Sequence, residues 1–171
     1  MSGVSLEVEV ADKAVHQAFT RLIGVMADTT PVMSAIGTGL VGSTHRRFIT
    51  QTSPDGAAWA KLNPEYKKGK RNSRILTESG RLRDSITHRA SRDAVTIGTN
   101  VIYAAPHQLG ATIKPVSASH LWFRMGGNLI KAASVTLPAR PFLGISNEDE
   151  AMIAETVFGF VARHFPNRSV H

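Results

Sequence analysis

The chain contains no cysteine among its 171 residues. Disulfides, thiolate catalysis and cysteine-type zinc sites are therefore excluded. It also lacks a long apolar run: its hydrophobic stretches are short and broken by glycine, so no transmembrane helix is expected. The N-terminus reads Met-Ser-Gly-Val-Ser with acidic Glu7 and Glu9, and has no basic stretch followed by an apolar one. No signal peptide is expected from that pattern, and a soluble protein of a reducing cytoplasm fits. No Asp or Glu lies between Asp93 and Glu148. A histidine in that stretch has no neighbouring carboxylate in sequence to orient it. There is no Gly-rich run ending in Gly-Lys-Ser/Thr, no dinucleotide fingerprint and no nucleophile-elbow context around Ser53 or Ser79. No internal repeat is present.

What is there is enough for one folded domain, 1–171, with 42% apolar residues. The net charge is +7 and unevenly placed. Between Asp55 and Arg92 stand ten Lys/Arg and four Asp/Glu, while Glu148, Asp149, Glu150 and Glu155 carry the opposite bias. Such asymmetry has three readings: contact with nucleic acid, complementary packing between copies, or a solvated basic loop.

Hydrophobic periodicity orders the elements. Val4, Leu6, Val8 and Val10 alternate with Ser5, Glu7 and Glu9, which predicts a half-buried strand. Asp12 caps a first helix with an apolar face from Val15 to Met26. Thr30 is read as the cap of a second helix running to Phe48, with Pro31 at its first position. Gly37, Gly39 and Gly42 weaken that helix and permit close packing on a sheet. Ser53-Pro54-Asp55-Gly56 is turn chemistry. Asn63 to Ser73 reads as a basic loop, within a mobile stretch of about 53–75. A short helix is expected from Thr77 to Leu82, then strands at Thr87–His88 and Val95–Gly98, and another short helix near Tyr103 to Leu109. Met125-Gly126-Gly127-Asn128 signals a hairpin turn between Leu121–Arg124 and Leu129–Lys131. Phe142 to Ile145 reads as a last strand. Asn147 is read as the cap of a final helix burying Met152, Ile153, Thr156, Val157, Phe160 and Val161, with Pro166 ending it. The expected fold is α+β: one domain with an antiparallel or mixed sheet against two or three long helices.

The seven histidines are scattered, and no pair makes a helical i, i+3 or i+4 couple, so no metal site is expected. Tyr103, His107 and Gln108 read as hydrogen-bonding residues that hold a short helix against neighbouring strands or at a subunit contact. Lys67, Lys68, Lys70 and Arg71, near the aromatic Trp59, form the densest charge cluster. They lack a recognition helix or stacking sheet, which leaves phosphate contact without sequence readout, or a loop that orders against a partner. Trp59 either plugs the core edge or packs on a neighbour. Arg140, between two prolines and before Phe142, anchors a salt bridge to another subunit or ties down the last helix.

Four blocks recur in order: Phe48 to Leu62, Ile75 to Leu82, Tyr103 to Gly110 and Pro138 to Gly144. Their order and spacing resemble the virion morphogenesis proteins of Mu-like and P2-like tailed phages, the tail-completion and neck proteins. The resemblance runs from about Phe48 to Phe160. The stretch 111–137 departs from the short version of the pattern and looks like an insertion. The resemblance implies a virion protein of the neck or tail, assembled in the host cytoplasm, with no cofactor and no enzymatic step. It implies a tail terminator or tail-completion protein in a six-fold ring with heterologous contacts. Its partners would be its own copies, the tail tube protein and head-tail connector proteins, with passing DNA touched without sequence preference and no membrane. A head-completion stopper or adaptor, an assembly factor and a DNA-backbone binder stand as alternatives. Within the ring, the basic 61–92 region would face the acidic Glu148, Asp149 and Glu150 of a neighbour. Trp122 and Phe123 on the hairpin would touch a tail or connector partner, or cover the protein's own core.

Overall fold

The computed structural model describes residues 27–164 and, ahead of them, Gln17, Thr20, Ile23 and Gly24. The strand expected at 4–10, the Asp12 cap, most of the first helical face and the Pro166 stop lie outside the described residues. Gln17, Thr20, Ile23, Gly24 and Ala27 are helical.

The spine is helix α1, Thr30–Thr50. Val32, Ile36, Leu40, Thr44 and Phe48 recur every fourth residue and are all buried. The cap sits one residue earlier than expected: Thr29 holds the capping position, and the Thr30 N–H donates to Asp28 Oδ1 at 3.0 Å. The helix ends at Gln51, which adopts a left-handed φ of 59° and returns its N–H to Arg47 O. Two glycines of α1 mark close approaches. A Cβ on Gly37 would stand 2.4 Å from the His88 ring, and one on Gly39 would stand 2.7 Å from Met152 Sδ. Gly37 therefore faces the strands and Gly39 the last helix, while a Cβ on Gly42 would point into open space.

Short elements follow. Asn63 caps helix α2, Pro64–Lys68, by accepting from Glu65 N and Tyr66 N. This helix stands where only a loop was expected. Asn and Pro at the cap and first position are a helix start, masked by the polarity of the rest. Helix α3, Arg81–Asp84, begins four residues later than expected, after Gly80 at φ 84°. Strands β1, Thr87–Ala90, and β2, Val95–Gly98, pair antiparallel with His88 opposite Ile97. Helix α4, Ala104–Leu109, comes next.

From Ala111 to Leu137 the chain makes two nested ribbons. Strand β3, Ala111–Ile113, pairs with β6, Val135–Leu137. Between them, β4, Leu121–Met125, pairs with β5, Asn128–Ala132, around Gly126 and Gly127 at φ 59° and 87°. Two successive positive φ values are the backbone of a tight two-residue turn.

The architecture is α+β, and among the described residues the strands form three separate two-stranded antiparallel ribbons. Phe142 to Ile145, expected as a strand, is not one. Side chains occupy its backbone in place of a neighbouring strand. Gln108 Oε1 accepts from Phe142 N and Leu143 N, and Gln108 Nε2 donates to Leu143 O. Arg47 Nη1 donates to Phe142 O and Gly144 O.

Helix α5, Asn147–His164, closes the domain. Its cap is Ser146 rather than Asn147: Asp149 N donates to Ser146 Oγ and Ser146 N donates to Asp149 Oδ2. That reciprocal pair satisfies two otherwise orphaned donors. Met152, Ile153 and Phe160 pack on Val32, Ile36 and Leu40 of α1. Val157 and Val161, expected inside, are exposed, as is Phe158. A second core cluster joins Phe48, Trp59, Leu82, Ile86, Val101, Ala104 and Phe142. Phe48 meets Trp59 edge-on at 5.5 Å and Phe142 at 5.4 Å.

Candidate functional site

Beside the second core cluster lies a cleft of about 870 Å³. Four pieces of chain wall it: the Lys61–Tyr66 stretch, the 76–82 segment, the α4 residues Tyr103 and His107, and the ribbons. The ribbons contribute Phe123 and Met125 from one face of β4, and Val135, Thr136 and Leu137 from β6. Apolar groups make most of the lining. Lys61, Lys70, Arg81 and Arg140 supply positive charge against a single carboxylate, Glu78.

The charges differ in how far they are committed. Lys70 Nζ lies 2.9 Å from Glu78 Oε2 and donates to Asn72 Oδ1 and Thr77 O, with its side chain only 3% exposed. Lys70 is thus an internal clamp on the 70–78 loop, not a free surface charge. Arg140 is buried, and donates from Nε to Ala60 O at 2.8 Å and from Nη2 to Lys61 O at 3.1 Å. Its own N–H donates to His107 O at 2.7 Å. Burial lowers the Arg140 pKa from its ordinary value. A guanidinium nonetheless stays charged in water at any ordinary pH. Lys61 and Arg81 are exposed.

His107 sits beside Arg140. Burial, and then the Arg140 charge, lower its pKa, which favours the neutral ring. Its Nδ1 is buried without a hydrogen-bond partner, and the ring stands 6.2 Å from that of Tyr103. Glu78 lines the same cleft, but its carboxylate is held at Lys70. Among the described residues no three His, Asp or Glu side chains gather where a metal could sit. The arrangement provides an apolar floor with fixed positive charge around it, which suits binding of an apolar segment carrying acids.

Several residues expected at a partner surface are inside the protein. Trp59 is 4% exposed and donates from Nε1 to Pro141 O at 2.8 Å. Phe142 is fully buried. Arg140 holds the 60–61 segment of its own chain. Asp149 is 3% exposed and pairs with Arg47. Phe142 is buried with the apolar core, and in Trp59, Arg140 and Asp149 a polar group is satisfied within the fold. Gln108 acts as the hydrogen-bonding brace expected of it, whereas Tyr103 and His107 meet each other by ring contact.

Others are exposed. Lys67, Lys68 and Arg71 face solvent, and Lys68 Nζ lies 2.7 Å from Glu65. Glu148 and Glu150 are exposed at the start of α5. Trp122 is 60% exposed with Lys131 Nζ 5.6 Å from its ring centroid, while Phe123 turns into the cleft. The hairpin turn rests on α2: a Cβ on Gly126 would be 2.9 Å from Glu65 O.

Arg47 escaped the reading of the sequence. It donates from Nη1 to two carbonyls of the 142–144 segment, and from Nη2 to Ser43 Oγ at 3.3 Å and to Asp149. Its signal was an arginine set between Thr44 and Phe48 on the apolar face of a helix.

Among the described residues no helix is long and apolar enough to cross a membrane. No solved structure matches the chain. Two curated relatives do. Mu-like prophage FluMu G protein 2 of Haemophilus influenzae is 28% identical over 153 residues, spanning 89% of this chain and 93% of that protein. The putative capsid assembly protein G of Escherichia phage Mu is 29% identical over 161 residues, 91% of this chain and 93% of its own length. The model of the phage virion morphogenesis family matches residues 10–161. With nearly the whole chain inside that match, the protein belongs to the phage virion morphogenesis family.

Proposed function

We propose that this chain is a structural protein of the phage neck or tail end. It is a tail terminator or tail-completion protein whose copies form a ring, six-fold by analogy with the tail. The ring caps the tail tube and joins it to the head connector. Its work is binding: each copy docks on the last tube ring, stops further stacking and presents a surface to the connector.

The observation that supports this reading within a virion morphogenesis family is the division of the β-structure into two-stranded ribbons. A lone two-stranded ribbon is marginal in water and leaves backbone donors and acceptors unpaired along its edges. Such edges are completed by a neighbouring chain in an assembly. Apolar groups on the outside add to this: Trp122 and Leu129 on the hairpin, and Phe158 on α5, are all more than half exposed. In the ring, the exposed Lys67, Lys68 and Arg71 of one copy face the exposed Glu148 and Glu150 of the next. Lys70 and Asp149 are committed within their own chain and drop out of that contact.

Electron microscopy of lysates from a phage lacking the gene tests the reading. Filled heads beside unattached tails of irregular length are the expected result. The phage Mu relative is described as a putative capsid assembly protein, which favours a second reading, a head-side completion factor. Defective heads beside tails of normal length would select it. Ordinary joined particles would reject both.

A further inference from the structure

Helix α5 buries one side against α1 through Met152, Ile153 and Phe160. At roughly 100° per residue, the opposite side is centred on Phe158, with Ala151, Ala154, Val161 and Ala162 around it. All five are exposed, Phe158 by 73%. The outward side of α5 is therefore as apolar as its inward side, and a helix of that kind is normally covered on both. Glu150 and Glu155 flank the outward side, and no Lys or Arg of α5 comes before Arg163. That acidity argues against a membrane surface as the cover, because surface-lying helices carry Lys and Arg on their polar side.

The cleft is complementary to that surface. Leu76, Leu82 and Phe123 are among its apolar walls, and Lys61 and Arg81 are exposed on its lining. Its one carboxylate, Glu78, is held at Lys70, so the rim is left positive. The α5 helix of the same chain contributes nothing to the lining and packs on the other core cluster. Helix α2 borders the cleft through Pro64 and Tyr66. In the ring proposed above, α2 meets Glu148 and Glu150 of a neighbour. Phe158 lies about 15 Å further along that neighbour's helix. A helix that starts against α2 can thus carry Phe158 into the adjoining cleft.

We infer that the outward side of α5 from a second copy of this chain docks on the cleft, with Phe158 between the apolar walls and Glu155 against Lys61 and Arg81. The inference rests on the ring proposed above and gives its charged contact at α2 an apolar centre. Large aromatic side chains set in a desolvated pocket carry most of the energy of such contacts, and the charges at the rim fix the register. The helix side and the cleft are different patches of the chain. Each copy therefore gives its helix to one neighbour and receives a helix from the other, the heterologous contact from which closed rings are built.

The chain has no native cysteine, so thiol cross-linking reads single positions. Ala154→Cys on the helix side and Ser79→Cys on the cleft lining replace small exposed residues. The two full-length proteins are mixed at high concentration with a short bis-maleimide, and the products are run on denaturing gels. The expected result is a covalent dimer from the mixture. Its yield should stand well above that of Ala154→Cys alone, or of Ala154→Cys with Thr96→Cys, which is exposed on β2 and outside the cleft. Adding Phe158→Asp to the helix partner should cut the yield about tenfold, the loss of one buried aromatic side chain. Its Tm should not change, since Phe158 is exposed in the single chain. Lys61→Glu with Arg81→Glu on the cleft partner should lower the yield about threefold, and Glu155→Lys on the helix partner should restore it. No dimer, or a yield that Phe158→Asp leaves unchanged, would overturn the inference. So would a yield no higher than that of Ala154→Cys alone, because two α5 helices would then be meeting each other, and so would a charge reversal that Glu155→Lys fails to rescue. The cross-link is read on purified protein. It can fail while the lysate shows unattached tails, and it can form while the lysate shows joined particles.

Discussion

Replacing Asp149 with alanine removes the carboxylate that pairs with Arg47 in the interior. Both side chains are nearly sealed, at 6% and 4% exposure for Arg47 and Asp149. Taking one partner from a buried ion pair costs about 3–5 kcal/mol, because the remaining charge is left uncompensated. Arg47 would keep its bonds to Phe142 O, Gly144 O and Ser43 Oγ, which places the expected loss toward the lower end. Loss of the reciprocal cap with Ser146 adds about 1 kcal/mol. A total near 4 kcal/mol corresponds to a fall in Tm of roughly 8–16 °C for a chain of this size. Urea unfolding followed by circular dichroism measures it, with Glu148→Ala as the exposed neighbour expected to change stability by less than about 0.5 kcal/mol. The same pair gives a pH signature. Burial pushes the Asp149 carboxyl up, but hydrogen bonds from Ser43 and Ser146 and the Arg47 charge outweigh it and hold the pKa below the ordinary 3.8. A carboxylate depressed on folding contributes stability that is fully present above its unfolded pKa and lost as pH falls through the folded value. Wild-type protein should therefore lose stability more steeply than Asp149→Asn below pH about 4. An Asp149→Ala protein within about 1 kcal/mol of wild type would refute the reasoning, for the pair would then hold nothing together.

Other consequences are open to the same measurements. Gln108→Ala strands the backbone groups of Phe142 and Leu143 and should cost about 1–3 kcal/mol in urea unfolding. Gly37→Ala should destabilise by about 1–3 kcal/mol through collision with the His88 ring and Val95. Gly42→Ala, with open space around it, should instead stabilise by up to about 1 kcal/mol. Burial, and then the Arg140 charge, lower the His107 pKa, so its folded pKa lies below its unfolded one. The unfolded chain then binds the extra proton first, and stability should fall as pH drops below about 6.5, a step that His107→Gln abolishes. Joint reversal of Lys67, Lys68 and Arg71 to glutamate should leave Tm nearly unchanged and impair particle assembly in a complementation assay. Lys70→Glu should lower Tm, since it places a second carboxylate against Glu78.

Local chemistry was the legible part of the sequence. The Ser53 to Gly56 turn closes as read, with Gly56 N donating to Ser53 O and Ala57 N to Asp55 Oδ1. Strands β1 and β2 and helix α4 lie where periodicity and turn residues put them, because each is set by neighbours in sequence. The interior reach of polar side chains was not legible. Asp149 stands in a run of acids that reads as a solvated helix start, and its partner Arg47 lies 102 residues away. Lys70 looks like one more member of a basic cluster until the 70–78 loop folds back and brings Glu78 to it. The segment at Phe142 has the composition of a strand, and only the arrival of Gln108 and Arg47 removes its need for one. The cleft brings together pieces of all four sequence blocks, around Leu62, Leu82, His107 and Arg140, so those spaced signals surround one place in space. Their shared function could not be read from spacing alone.

The protein is proposed to sit in the finished particle, at the head-proximal end of the tail. Immunogold labelling of purified virions and of detached tails, using antibody against this chain, tests it most directly. Gold is expected at a single site, the junction of head and tail, and at one end of the detached tails. Label spread along the tail or over the head, or particles that carry none of the protein, would contradict it.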